Sequence, residues 1–239
     1  MSRPWLSVVV PAYNEAPWIL DAAEQMRDRL EALGRPWELI VVDNASPDGT
    51  GDRLTPLLVD GRIRVLRNEV NRGKGYSVRR GMLAAKGAHR LMTDADLSTP
   101  IEDLALLMAR LDEGYDVAIA SRALAGARIE VRQPAYREGM GRLFNLLVRA
   151  VAVPGLHDTQ CGFKLFTAAA AEQAFGPALL DGFSFDVETL FIARRRGLRI
   201  AEVPVTWRND AASRVGPLNG FRAFLDLGRI RVNGWRGRY

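Results

Sequence analysis

The 239-residue sequence predicts an α/β fold built on a mostly parallel sheet with helices on both faces, and three observations predict it. Short β-branched runs alternate with amphipathic stretches through the first half of the chain, the order of strands and covering helices. The runs are apolar almost throughout, as strands buried on both faces are. Each run is followed at once by a segment rich in Asp, Asn, Ser and Gly, and in open sheets of this kind ligands sit beyond the carboxyl ends of the strands.

Taken in order, Trp5–Pro11 reads as the first strand, followed by a helix from about Ala16 to Leu33. Trp37–Asp43 precedes a helix over Gly51–Leu58, Arg62–Asn68 a helix over Tyr76–Ala85, and His89–Asp94 a helix over Ile101–Leu111. The strand-end segments are PAYNE, DNASPDGT, NEVNRGKG and DADLST. Beyond about Gly126 the alternation loosens. A helix is expected from Arg137 to Val151, then the polar loop HDTQCGF, a helix over Ala168–Phe175, a helix led by DGFSFDVE and ending near Arg196, and a strand-like RIAEVPVTW. The main domain is expected over residues 1–215, with a basic, aromatic segment over 216–239.

Hydrophobic residues make up 48% and charged residues 26% of the chain, which excludes a disordered or fibrous protein. One cysteine, Cys161, and two histidines, His89 and His157, exclude an intrachain disulfide and a Cys/His zinc cage. No run reaches the ~18 uninterrupted apolar residues of a spanning helix, and Pro11 interrupts the first apolar run before a signal-peptide pattern develops. A cytoplasmic setting is the expectation. The net charge is +5, and the excess is concentrated at the C-terminus, where Arg222, Arg229, Arg231, Arg236 and Arg238 face only Asp226. That segment reads either as a solvated tail or as a surface for peripheral contact with an anionic membrane. The stripe Leu143, Leu146, Leu147, Ala150 and Val151 reads equally as core or as a membrane-interface helix. Nucleic acid is excluded as a partner, because the basic residues join no recognition element and acids at the strand ends would repel a phosphate backbone.

Asp94 and Asp96 stand one residue apart at a strand end, with Ser98, Thr99 and Pro100 in helix-start order behind them. The pair reads as turn aspartates or as hard oxygen ligands for Mg²⁺ or Mn²⁺ beside a diphosphate. Asp43 opens a turn-forming series and is placed to cap it or to meet a nucleoside. In NRGKGYS, Gly73 and Gly75 allow close backbone approach to a ligand and Lys74 adds charge at a helix start, the elements of an anion site. It is neither a Walker loop, which needs glycine where Asn68 stands, nor a dinucleotide fingerprint, which needs glycine where Val78 stands.

Together VVVPAYNE, VVDNASPDGT, NRGKGYSVRRG and TDADLSTP resemble the successive motifs of family-two inverting glycosyltransferases of the GT-A fold. EGYDVAIASRAL, RQPAYREGMGRLFN, DTQCGFKLF, DGFSFDVE and IAEVPVTWR resemble the dolichyl-phosphate β-glucosyltransferase branch and its bacterial polyprenyl-phosphate relatives, the likeness running over roughly residues 6–215. The resemblance implies that Pro11, Ala12, Tyr13 and Glu15 line a nucleoside pocket, with Asp43 on the base and Lys74 beside the donor. It implies that Asp94 contacts the ribose and metal-bound water and that Asp96 binds the metal. Ser98 stands where mannosyl-transferring relatives carry a glutamine, which favours UDP-glucose over GDP-mannose as donor. Arg122, Arg137 and Arg208 or Arg214 match arginines that grip the acceptor phosphate in that family. Asp158, Gln160, Asp186 and Glu188 are candidates for sugar hydroxyls, with Asp158, Asp186 and Glu188 alternatively orienting an arginine and Asp186 alternatively capping a helix. The implied activity is glucose transfer to a polyprenyl phosphate. GDP-mannose as donor and a soluble acceptor stand as the alternatives, and the oligomeric state is left open.

Overall fold

The computed structural model describes residues 3–131, 139, 145–208 and 217–239. Its strands are β1 (Leu6–Ala12), β2 (Trp37–Asp43), β3 (Ile63–Arg67), β4 (His89–Met92), β5 (Val117–Ser121), β6 (Arg128–Val131), β7 (Lys164–Thr167), β8 (Ile200–Pro204) and β9 (Thr206–Arg208). Its helices are α1 (Ile19–Ala32), α2 (Thr50–Arg53), α3 (Lys74–Ala84), α4 (Leu104–Asp112), α5 (145–151), α6 (Ala168–Phe175), α7 (Phe185–Arg195) and α8 (Pro217–Trp235).

Seven strands form one sheet in the order β3-β2-β1-β4-β7-β5-β8, and β6 pairs with β9 in a second, two-stranded sheet. Every neighbouring pair in the large sheet is parallel except those of β7, which runs antiparallel to both β4 and β5. This reversal positions the site. Because β7 runs backwards, the loop that precedes it, residues 157–163, lies at the edge where the parallel strands end.

Side-chain alternation assigns the two faces. Val8 and Val10 of β1 pack with α1 and α4 through Ile19, Met26, Leu30, Leu104 and Leu107. Val9, between them, packs on the other face with Val78 and Met82 of α3, Phe175 of α6, Leu190 of α7 and Ile230 of α8. The helix α3 is seated closely at Gly81, where a Cβ would stand 2.4 Å from Val9 Cγ1 and 2.9 Å from Val42 Cγ2.

Two expected helices start or end differently. The expected 51–58 helix divides into α2 and a 3₁₀ turn over Thr55–Asp60, because Pro56 cannot donate to a continued α-helical ladder. The expected 101–111 helix begins as a 3₁₀ turn over Ile101–Asp103 with no side-chain cap from the Ser98–Pro100 segment. The Thr99 hydroxyl lies instead 3.7 Å from Cys161 Sγ. Of the stripe at 143–151, Val148 is fully buried and Leu147 and Val151 pack on the second core, whereas Leu146 and Ala150 are exposed. Leu143 and the start of the expected 137–151 helix lie outside the described residues. Among those described, no helix is long and apolar enough to cross a membrane.

The close seating of α3 predicts that Gly81→Val lowers stability by about 2–3 kcal/mol through overpacking, measured as the shift in a urea unfolding midpoint.

Candidate active site

The carboxyl ends of β1, β2 and β4 come level with one another. Ala12 pairs with Asp43, and Val9 with Met92, so Asp94 lies within about a residue of the same line. The loops after these strands are stitched together. The N–H groups of Asn14, Glu15 and Ala16 donate to Ser46 Oγ (3.1 Å), Thr50 Oγ1 (2.8 Å) and Asp48 Oδ2 (3.1 Å). Asp43 Oδ1 accepts the Ser46 N–H at 3.0 Å, so this acid holds its own turn, and its second oxygen lies flush against Gly51. Tyr13 stands 39% exposed at the rim, and Glu15 accepts the indole N–H of Trp18.

Three non-glycine residues occupy the left-handed region: Asn14 (φ 58°), Ala45 (φ 58°) and Leu97 (φ 52°). One falls in each of the loops after β1, β2 and β4. For Ala and Leu this conformation costs on the order of 1–3 kcal/mol, and strain of this kind collects where a site over-determines its backbone.

A cluster of alternating charge fills the crevice. Lys74 Nζ, at the start of α3, lies 2.6 Å from Asp94 Oδ1. Lys164, fully buried at the head of β7, donates to the Cys161 carbonyl (2.6 Å) and pairs with Asp186 of α7. Arg122, just past β5, holds both oxygens of buried Asp158 through Nε (2.6 Å) and Nη2 (2.9 Å), and its guanidinium lies 5.2 Å from the Trp207 ring centroid. These pairs sense one another. Burial works against the charge on Lys74, but Asp94, Asp186 and Asp96 together raise its pKa. Burial likewise opposes Arg122, and Asp158 outweighs it, with Asp94 contributing. Burial pushes the Asp186 carboxyl up in spite of Lys164 and Lys74.

Asp96 differs from the rest. Four acids, Asp94, Asp96, Asp158 and Asp186, stand against three cations, Lys74, Arg122 and Lys164, and among the described residues Asp96 has no ion-pair partner. Its Oδ1 accepts the Ser98 N–H at 2.9 Å, and the Ser98 side chain also faces it. Although the side chain reaches solvent, the mass of protein around it and then the like charge of Asp94 raise its pKa. A carboxylate that meets a second carboxylate and lacks a cation suits a hard divalent ion, and the all-oxygen donor set fits Mg²⁺ or Mn²⁺. No group of three metal-ligating side chains occurs among the described residues, so two carboxylates are what this part of the chain offers.

Several expectations change. The glycines of NRGKG make room for the protein's own loop rather than for a ligand: a Cβ at Gly73 would stand 2.4 Å from the Asp181 carbonyl, and one at Gly75 2.6 Å from that of Leu180. Asp158 orients Arg122, which takes both of its oxygens, and Asp186 is buried and paired through one oxygen with Lys164. Glu188 is fully buried and accepts the N–H groups of Leu179 and Leu180 and the Tyr239 hydroxyl. Arg208 is exposed and paired with Glu130. Gln160 stays at the crevice, half-buried, its N–H on Asp158 Oδ1 at 3.2 Å. Arg137 and Arg214 lie outside the described residues. Cys161 is packed, and burial pushes its thiol up to about 11, as suits an inert residue.

Sequence reasoning missed Lys164, Glu202 and Gly162. Glu202 of β8 accepts the N–H groups of His157 (2.9 Å) and Asp158 (2.7 Å), pinning the loop before β7. A Cβ at Gly162 would stand 2.0 Å from Asp94 Oδ2, so this loop lies directly on the acid. One signal was available: the chain has only three lysines, and two of them, Lys74 and Lys164, are in this cluster.

Removing one member of the buried Lys164–Asp186 pair strands the other. Lys164→Met is expected to lose about 3–5 kcal/mol in urea unfolding, and Lys164→Met with Asp186→Leu to recover most of that loss.

The family model "Glycosyl transferase family 2" matches residues 7–175. The dolichyl-phosphate beta-glucosyltransferase of Dictyostelium discoideum is 34% identical over 95% of this chain and 74% of its own length. Those of Homo sapiens (34%) and Drosophila melanogaster (37%) each align over 94% of this chain and 72% of theirs. Among solved structures, mannosyl-3-phosphoglycerate synthase from Rubrobacter xylanophilus superposes with TM-score 0.69 at 20% identity, covering 99% of this chain and 76% of that one. Glucosyl-3-phosphoglycerate synthase from Mycobacterium tuberculosis, solved with Mn²⁺, UDP and glucosyl-3-phosphoglycerate, superposes with TM-score 0.65 at 21% identity over 95% of this chain and 80% of its own. The chain therefore belongs to glycosyl transferase family 2 and is a glycosyltransferase of the GT-A fold.

Proposed function

We propose that the protein transfers glucose from UDP-glucose to a polyprenyl phosphate of the dolichyl type with inversion, giving a β-linked lipid phosphosugar. The observation that carries the proposal is the meeting of the under-neutralised Asp94–Asp96 pair with the Asp158-held Arg122 at one sheet edge, in a chain similar over nearly its whole length to dolichyl-phosphate beta-glucosyltransferases. Two anions must be brought together in this reaction, and the acid pair and the arginine supply the opposite ends of the charge needed to do so.

In this reading Pro11, Tyr13 and Glu15 line the nucleoside pocket, and buried Ala12 and Asp43 shape its floor at the strand ends, Asp43 by holding the Ser46 turn that faces the base. Asp94 and Asp96 hold the divalent ion, which when bound offsets the charge of the departing diphosphate. Lys74 fixes the Asp94 carboxylate. Arg122, kept in place by Asp158 and by the Trp207 ring, holds the acceptor phosphate with its remaining donors. An oxygen of the acceptor phosphate forms the bond to the anomeric carbon as the bond to the diphosphate oxygen breaks, and the electron pair leaves with UDP. That acceptor is already an anion near neutral pH, so no base has to remove a proton.

Calorimetric titration is expected to show UDP and UDP-glucose binding that strengthens with Mn²⁺, and weaker binding of GDP and GDP-mannose; a guanosine preference would move the donor to mannose. Asp96→Ala is expected to abolish metal-stimulated transfer with the unfolding midpoint held, and retained turnover would remove the metal from Asp96. Arg122→Lys gives up the two-pronged grip on Asp158 and is expected to raise the acceptor KM about 10–100-fold, with UDP affinity unchanged in calorimetry.

A further inference from the structure

Helix α8 has two working faces. Its inner face buries Ala223, Leu227 and Ile230 in the second core, and Gly234 sits against the Phe191 ring of α7. The chain end is tied down as well, with the Tyr239 hydroxyl on Glu188 Oε1 at 2.7 Å. The helix is therefore held on the body of the protein, and its outer face is presented as a fixed surface.

That outer face is amphipathic in its own right. Leu225, Val232 and Trp235 are exposed, Trp235 at 74% and Leu225 at 53%. Beside this apolar strip, Arg222, Arg229 and Arg236 recur every seven residues, two helical turns, and so form one row along the helix. Arg231 lies 5.5 Å from the Trp235 ring centroid, on the other flank of the strip. The acid on α8, Asp226, is itself paired with Arg229.

We propose that this face docks on an anionic bilayer, with Leu225, Val232 and Trp235 entering the headgroup boundary and the row Arg222, Arg229 and Arg236 lying along lipid phosphates. Charge complementarity selects the occupant. An exposed tryptophan and aliphatic strip flanked by an arginine row is the arrangement of an interfacial helix, whereas a face for a second copy of this chain would set arginine row against arginine row. The proposal deepens and rests on the lipid-acceptor reading, because it brings the protein to the membrane in which a polyprenyl phosphate resides. Vesicles carrying neither sugar nor acceptor test it separately from that reading.

The test uses the full chain and sedimentation with vesicles of phosphatidylglycerol and phosphatidylcholine, against phosphatidylcholine alone. Binding is expected to the anionic vesicles and to weaken with salt. Replacing Arg222, Arg229 and Arg236 together by Gln is expected to lower the partition coefficient about 100-fold, at about fivefold per arginine. Leu225→Ser with Trp235→Ser is expected to lower it at least tenfold with the arginines intact. Both variants must keep the wild-type unfolding midpoint and UDP affinity, which shows that the helix stays seated; should either variant unfold, quenching of Trp235 fluorescence in the wild-type chain by brominated lipid decides. Equal sedimentation with both vesicle types, full retention by the arginine variant, or absence of quenching would overturn the proposal. So would a concentration-dependent dimer in sedimentation velocity that Leu225→Ser with Trp235→Ser abolishes, since a second copy would then occupy the face.

Discussion

The Asp94 carboxylate, held between Lys74 and the backbone of Gly162, is the interaction on which the site depends. It sits at the end of β4, in the middle of the sheet, and everything around it is placed by the need to keep several acids together. Isolated, Asp94, Asp96, Asp158 and Asp186 would repel and take up protons. Three cations drawn from α3, β7 and the end of β5 hold the group together. They leave one negative charge in excess, at Asp96, where a divalent ion is the natural completion.

The reversed strand makes this possible. A parallel β7 would deliver its preceding loop to the far edge of the sheet. Running antiparallel between β4 and β5, it brings residues 157–163 over Asp94 and lets Lys164 secure Asp186 from beneath. Glu202 and Arg122 then fix the same loop from the other side. The donor side and the arginine side of the crevice are thus coupled through one loop with three anchors. The cost is visible in the left-handed Asn14, Ala45 and Leu97 and in buried ion pairs that an apolar core would not need.

Support also comes from the second layer. Glu188 ties the loop at 179–180 to the chain end at Tyr239, and that loop presses on Gly73 and Gly75 at the start of the helix that carries Lys74. The C-terminal helix is therefore part of the scaffold as well as a surface. Its inner residues are bound into the core, which is what allows its outer arginines and Trp235 to act from a defined place.

Much of the architecture was legible in the sequence. The β-branched runs located β1 to β4, because strands buried on both faces must be apolar throughout, and the polar segments after them marked the ligand edge. The helices over Ala168–Phe175 and up to the 195–196 end of α7 were equally readable from their apolar spacing. The acids Asp43, Asp94 and Asp96 were found by residue type and position, and Arg122 by the family resemblance. What those side chains hold was not. For Asp158, Asp186 and Glu188 the sequence left sugar hydroxyls, an arginine or a helix cap open, and only the fold supplied Arg122, Lys164 and the Leu179–Leu180 backbone as their partners. Gly73 and Gly75 announced a close approach without saying to what. Local spacing determines which residues stand at a strand's end. Pairing between residues 20 to 100 positions apart is decided by strand order and direction, and the single reversal at β7, which no local pattern records, determined which charges meet.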